Sequence, residues 1–158
     1  MIVGIGVDLV DIERFERTVE RTPRLLERMF SPTERALSLR SLAARYAARE
    51  ALIKALGGSD GLRFNEVEIT PEASGRPWFT LTGSTAAFVA ERGITTLHLS
   101  MSHDAGFAIA YVVAEAGTEL PRSGEPDAAA AATRTSSTPR PDTEAPAVAS
   151  GAPTEAAR

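Results

Sequence analysis

The sequence predicts an α+β domain over residues 1–117, with a largely antiparallel sheet packed on one long central helix. Three observations predict it. Apolar runs alternate in the order strand, helices, strand, strand, helix, strand, strand; the longest helical pattern, rich in Ala and Leu, falls in the middle; and turn-forming residues join the later strands in pairs.

Ile2, Val3, Ile5 and Val7, with Gly4 and Gly6 between them, read as a short buried strand whose glycines admit a second backbone or a ligand. Asp8 stands at its end. Asp11 is a suitable N-cap for a helix to about Thr22, which Pro23 stops or kinks. Ser31-Pro32-Thr33-Glu34 combines an N-cap serine, a proline at the first helical position and a capping-box glutamate, and predicts a helix start. The central helix is expected from about Leu42 to Leu56, closed by Gly57-Gly58. Strands follow at Val67 to Thr70 and Trp78 to Leu81 around a turn at Ala73 to Pro77. A helix over Ser84 to Arg92 ends at Gly93. Thr96 to Ser102 and Phe107 to Ala114 then form a hairpin joined by His103-Asp104-Ala105-Gly106.

All nine aromatic residues lie between Phe15 and Tyr111. Residues 118–158, built almost entirely from Ala, Pro, Thr, Ser, Glu and Arg, have nothing large to bury, so the sequence predicts a disordered tail there. The net charge of −4 divides evenly between the two regions, residues 1–117 carrying 13 basic against 15 acidic side chains. That balance argues against nucleic acid as the main partner. With no cysteine and no apolar run approaching a membrane span, the expectation is a cytoplasmic protein with no membrane partner.

Five features carry candidate chemistry. Asp8, directly after a glycine-rich strand, lies where ligands bind at strand ends, although a surface acid would look the same. Glu50 falls about 40° beyond Tyr46 at the edge of the apolar face of the central helix, so its carboxylate is expected to be partly buried and partnered by Lys54, four residues on. If Asp8 and Glu50 converge, their oxygens with water suit Mg²⁺, and Lys54 faces the same phosphates. His103, beside Ser102 at a strand end, reaches a phosphate or assists proton transfer, or is simply solvated; His98, within a strand, reads as structural. Arg14, Arg17, Arg21, Arg24 and Arg28 recur at steps of three and four, which makes one basic stripe if the helix survives Pro23. That stripe is either a salt-bridged solvated face or a landing strip for an acidic protein. The turn at Gly75, Arg76 and Pro77 is an ordinary turn or the approach to a flat ligand.

Ile5-Gly6-Val7-Asp8, Tyr46 to Ala55 (YAAREALIKA) and Leu99 to Asp104 (LSMSHD) together resemble the signature blocks of the phosphopantetheinyl transferases, most closely the short bacterial holo-acyl-carrier-protein synthases. The likeness spans about residues 1–115. It implies a Mg²⁺-dependent enzyme that moves the phosphopantetheine arm of coenzyme A onto a serine of an acyl carrier protein, releasing adenosine 3′,5′-bisphosphate. It implies that Asp8 and Glu50 hold Mg²⁺ against the coenzyme A diphosphate, and that Lys54 and His103 assist with phosphates or proton transfer. Arg45, Ser102 and the Gly75, Arg76 and Pro77 loop are implied in coenzyme A binding. Arg14, Arg17, Arg21 and Arg24 are implied to meet the carrier protein, in a homotrimer with sites between subunits. Arg49 stands where the family carries Lys, and the segment near Leu39 to Leu42 is shorter than usual, which leaves a non-catalytic coenzyme A-binding subunit as the alternative.

Overall fold

The computed structural model describes residues 1–22 and 24–117. Five strands, β1 (Ile2–Asp11), β2 (Val67–Pro71), β3 (Pro77–Leu81), β4 (Ile94–Asp104) and β5 (Phe107–Ala116), combine with four helices. These are α1 (Ile12–Arg21), α2 (Leu25–Met29), α3 (Leu39–Ala55) and α4 (Gly83–Glu91). One sheet runs β1-β5-β4 and a second pairs β2 with β3, antiparallel throughout. The expected tail, residues 118–158, lies outside the described residues, as does Pro23.

Helix α3 is the spine. Ser38 caps it by accepting from the Ser41 amide, and the Gly57 and Gly58 amides close it on the Lys54 and Ile53 carbonyls, a Schellman ending that needs the positive φ of Gly57. Its buried face is mostly alanine: Ala43, Ala44, Ala47, Ala48, Ala51 and Ala55. The reason lies on β1. A Cβ at Gly4 would sit 1.8 Å from the Ala55 carbonyl oxygen, and one at Gly6 1.9 Å from that of Ala51. Glycine facing alanine lets strand and helix backbones touch, which sets Asp8, two residues past Gly6, beside the last turns of α3.

Four expectations need correction. Strand β1 is not buried on both faces: even positions pack on α3, whereas Ile5, Val7 and Leu9 are exposed, as are Phe107, Ile109 and Tyr111 on β5. In register, Val7 pairs with Tyr111 and Leu9 with Ile109, so the outer face of β1 and β5 is a continuous apolar surface. A run of apolar residues is compatible with either one covered face or two, and local pattern cannot separate them.

The Ser31–Glu34 capping box forms, with the Ser31 amide donating to Glu34 Oε2 and the Glu34 amide to Ser31 Oγ, but it starts only a 3₁₀ turn over Glu34–Ala36. The arginine stripe also breaks. Helix α1 ends at Arg21, and Arg24 adopts a left-handed conformation (φ 67°) before α2, so Arg24 and Arg28 leave the line of Arg14, Arg17 and Arg21. Finally, His103 and Asp104 belong to β4, and the hairpin turn is only Ala105-Gly106, with φ 47° and 81° as a two-residue primed turn requires.

Candidate active site

Strand β1 and helix α3 bring Asp8 and Glu50 to one cleft of about 370 Å³, which Arg14, Phe15, Leu25, Met29 and Tyr46 also line. Asp8 enters on the sheet face that packs against α3, and Glu50 from the turn of α3 that passes over it. Lys54 does not pair with Glu50 as its spacing predicts. Its ammonium donates to Asp8 Oδ1 at 2.7 Å and to the Val7 carbonyl at 2.8 Å. The long lysine stem, half exposed at its tip, reaches the strand end because glycine brings the backbones so close.

Glu50 instead lines the cleft together with Tyr46, one helical turn back. Partial burial, and then the negative charge of Asp8, hold the Glu50 carboxyl above its ordinary value, while Tyr46 and Lys54 pull it down. Burial and the Glu50 charge likewise raise Tyr46. The cleft therefore holds two mutually repelling carboxylates with one lysine against them.

That donor set fits a hard divalent cation. All the anionic donors are oxygen, and a cation between them would relieve the repulsion that raises Glu50. Among the described residues no group of three or more His, Cys, Asp or Glu side chains is placed to hold a metal, so a cation here would draw its remaining ligands from water and substrate phosphates. Mg²⁺ is commonly bound in that way.

The other predicted residues are distributed around this pair. Val10, Ala108 and His103 occupy one rung across β1, β5 and β4, so His103 shares the inner sheet face with Asp8, one pair of residues further along. It lines a neighbouring cleft of about 440 Å³ with Asp11, Glu16, Arg40, Asp104 and Gly106; Asp11 borders both clefts. Ser102 pairs with Ile109 and stands on the outer face, away from His103. His98 is bonded to Glu115 at 2.8 Å within the sheet.

Arg45 points to the other side of α3. Its Nε donates to the Ile69 carbonyl at 3.3 Å and lies 3.7 Å from Glu34, and burial lowers its pKa against the pull of that carboxylate. The turn at Gly75, Arg76 and Pro77 closes the β2–β3 hairpin. Gly75 has φ 82°, Arg76 pairs with Glu72, and none of the three lines either cleft. Arg14 lines the Asp8 cleft, and Arg17 is engaged by Glu13 on the exposed face of α1, as is common for an i,i+4 pair.

Two residues were missed as functional or organising groups. Tyr46 reads in the sequence only as part of an apolar face, although its i,i+4 spacing to Glu50 was a usable signal. Glu34 reads only as a capping residue, yet it is 2 % exposed and accepts from the Ser31 amide, the Ile69 amide and Arg49. Only the fold brings those donors together.

Known proteins match this chain over most of residues 1–117. The sequence model of the 4′-phosphopantetheinyl transferase superfamily matches residues 4–112. A holo-[acyl-carrier-protein] synthase of Clavibacter sepedonicus is 57 % identical over 115 residues, covering 73 % of this chain and 97 % of the relative. Among solved structures, the holo-[acyl-carrier-protein] synthase of Neisseria meningitidis aligns with a TM-score of 0.69 at 32 % identity, over 73 % of this chain and 99 % of the other. The Helicobacter pylori synthase in complex with coenzyme A aligns at 0.63 and 38 % identity, over 70 % and 99 %. With the match spanning strands, central helix and hairpin alike, this chain belongs to the 4′-phosphopantetheinyl transferase superfamily.

Proposed function

We propose that the chain is a holo-[acyl-carrier-protein] synthase, transferring 4′-phosphopantetheine from coenzyme A to a serine of an apo acyl carrier protein. The observation that carries this reading is the meeting of Asp8 and Glu50 at one cleft, with Lys54 bonded to Asp8, in a chain of this superfamily. The serine oxygen forms a bond to the β-phosphorus of coenzyme A and gives up its proton to water in the cleft. The bond from that phosphorus to the bridging oxygen breaks, and adenosine 3′,5′-bisphosphate leaves with the electron pair.

Asp8 and Glu50 would hold Mg²⁺, which supplies positive charge to the diphosphate oxygens. Lys54, half exposed and able to swing from Asp8, offers a second cation to the same phosphates. His103 and Ser102, with Arg45 and the Gly75, Arg76 and Pro77 turn, are assigned to coenzyme A. Arg14, Arg17, Arg21 and Arg24 are assigned to the carrier protein, with Arg14 nearest the cleft.

Self-association fits this reading. The exposed apolar face formed by Ile5, Val7, Leu9, Phe107, Ile109 and Tyr111 is broader than scattered surface hydrophobes, and copies of the chain covering it in a homotrimer would remove it from water. A chain without cysteine suits the reducing cytoplasm, where we place it. Among the described residues no helix is long and apolar enough to cross a membrane.

The test is the mass gain of one phosphopantetheine arm on purified apo carrier protein with coenzyme A and Mg²⁺. Asp8→Ala and Glu50→Ala should each abolish the gain while leaving the circular dichroism spectrum intact. Normal transfer by both variants would refute the assignment.

A further inference from the structure

Lys54 stands one turn after Glu50 on α3, but its ammonium crosses to β1. It donates to Asp8 Oδ1 at 2.7 Å and to the Val7 carbonyl at 2.8 Å, which commits two of its three donors to the end of that strand. β1 is an edge strand, and Gly4 and Gly6, set against the Ala55 and Ala51 carbonyls, bring it close enough to α3 for that reach. The two ionic partners differ in freedom. The Asp8 side chain is 17 % exposed and that of Lys54 52 %, so the carboxylate belongs to the wall and the ammonium is the member able to leave.

A cation therefore already sits on one of the two carboxylates assigned to the metal. A divalent ion arriving alone would meet the Lys54 charge at hydrogen-bond distance from Asp8, and receiving it would weaken a charge-assisted hydrogen bond. A diphosphate changes that balance. It brings oxygens of its own to a hard cation and offers the ammonium a second anionic partner.

We propose that Lys54 is an internal counter-ion, which holds Asp8 in place of the metal in the free protein and is drawn off by the diphosphate of coenzyme A. This rests on the reading of Asp8 and Glu50 as the cation-holding pair. Lys54 thereby keeps metal affinity low until coenzyme A is bound, and so couples the two ligands. Because coupling is reciprocal, the metal raises the affinity for coenzyme A by the same factor. The charge of Lys54, rather than its packing, has this role.

The experiment uses the full chain with Mn²⁺ as the probe, free Mn²⁺ being followed by electron paramagnetic resonance with and without saturating coenzyme A. Wild type is compared with Lys54→Met, Lys54→Arg and Asp8→Asn. Without coenzyme A, Lys54→Met should bind Mn²⁺ about tenfold more tightly than wild type, a gain that mere loss of structure would not produce. Lys54→Arg keeps a cation at Asp8 and should stay near the wild-type affinity. Coenzyme A should tighten Mn²⁺ binding in wild type by a factor about ten times larger than in Lys54→Met. Asp8→Asn should lose Mn²⁺ binding in the free protein. Unchanged or weaker Mn²⁺ binding by Lys54→Met, with binding lost in Asp8→Asn, overturns the counter-ion role while leaving the cation site standing. Lys54→Arg binding as tightly as Lys54→Met, or equal tightening by coenzyme A in wild type and Lys54→Met, also overturns it. Wild-type Mn²⁺ binding by Asp8→Asn overturns both the proposal and the cation site beneath it.

Discussion

Helix α3 carries two sets of charges and treats them in opposite ways. On one side Arg45 and Arg49 turn inward to Glu34. Arg49 is 1 % exposed and its Nη2 donates to Glu34 Oε2 and to the Val67 carbonyl, both at 2.5 Å, while Nη1 reaches the Arg45 carbonyl. Phe30 lies under the guanidinium, 4.8 Å from ring centroid to carbon. On the other side, Glu50 faces a cleft open to solvent, where it is repelled by Asp8, and Lys54 is bonded to Asp8. One set is nearly saturated with partners, apart from a buried and unpartnered Nε on Arg49. The other has carboxylate capacity left over. A buried set of that kind organises the fold, and an under-neutralised set in a cleft is where a ligand's charge is useful.

The contrast can be broken most directly at Glu34. Glu34→Ala strands Arg49 in the core and should cost about 3–5 kcal/mol of stability in urea denaturation. Asp8→Ala and Glu50→Ala should cost far less while abolishing transfer. A loss at Glu34 below about 1 kcal/mol, the range of exposed pairs, would erase the distinction between the two sets.

A smaller effect is expected from Arg49→Lys, which restores the residue the family resemblance leads one to expect. A single ammonium cannot reproduce the planar fork that serves Glu34, Val67 and Arg45 together, so stability should fall by about 1–3 kcal/mol. Transfer at saturating coenzyme A should persist. Unchanged stability would mean that the fork geometry is dispensable and only the charge matters.

The smallest effect sharpens the other half. Because burial and Asp8 raise the Glu50 carboxyl above its ordinary 4.5, the native state binds more protons there than the unfolded chain does. This contribution to stability is therefore complete below 4.5 and is lost as pH rises through the raised value. Glu50→Gln should flatten that segment of the stability–pH curve and leave the protein equal to wild type or more stable at neutral pH, by no more than about 0.5 kcal/mol. Opposite slopes in the denaturation series would show that Glu50 is fully neutralised in the free protein.

Much of this molecule was legible in the chain. The glycines of β1 announced close approach, Gly57-Gly58 announced the end of α3, and the position of Asp8 at a strand end and of Glu50 at the edge of an apolar helix face marked them as candidates whose convergence only the family resemblance implied. Each of those signals is local: a backbone conformation or a helical angle depends on neighbours within a few residues. What misled was equally local. Lys54 at i+4 from Glu50 looks like a helix pair, but a residue 46 positions away offers its ammonium the better site. The Ser31–Glu34 box looks like the start of a helix, but the glutamate also serves the Ile69 amide and Arg49, and the chain turns away after one 3₁₀ turn.

By itself, then, the amino-acid order determined where strands and helices lie, that the sheet is antiparallel, and which acids are candidates for a cation. Pairing of charges and the facing of surfaces were decided only when distant segments met. Whether Arg49 is core or surface depends on Glu34 arriving from another turn, and whether β1 is covered on one side or two depends on what lies across the sheet. Electrostatic and apolar contacts act through space rather than along the chain, so their partners exist only once the tertiary structure has brought them within reach.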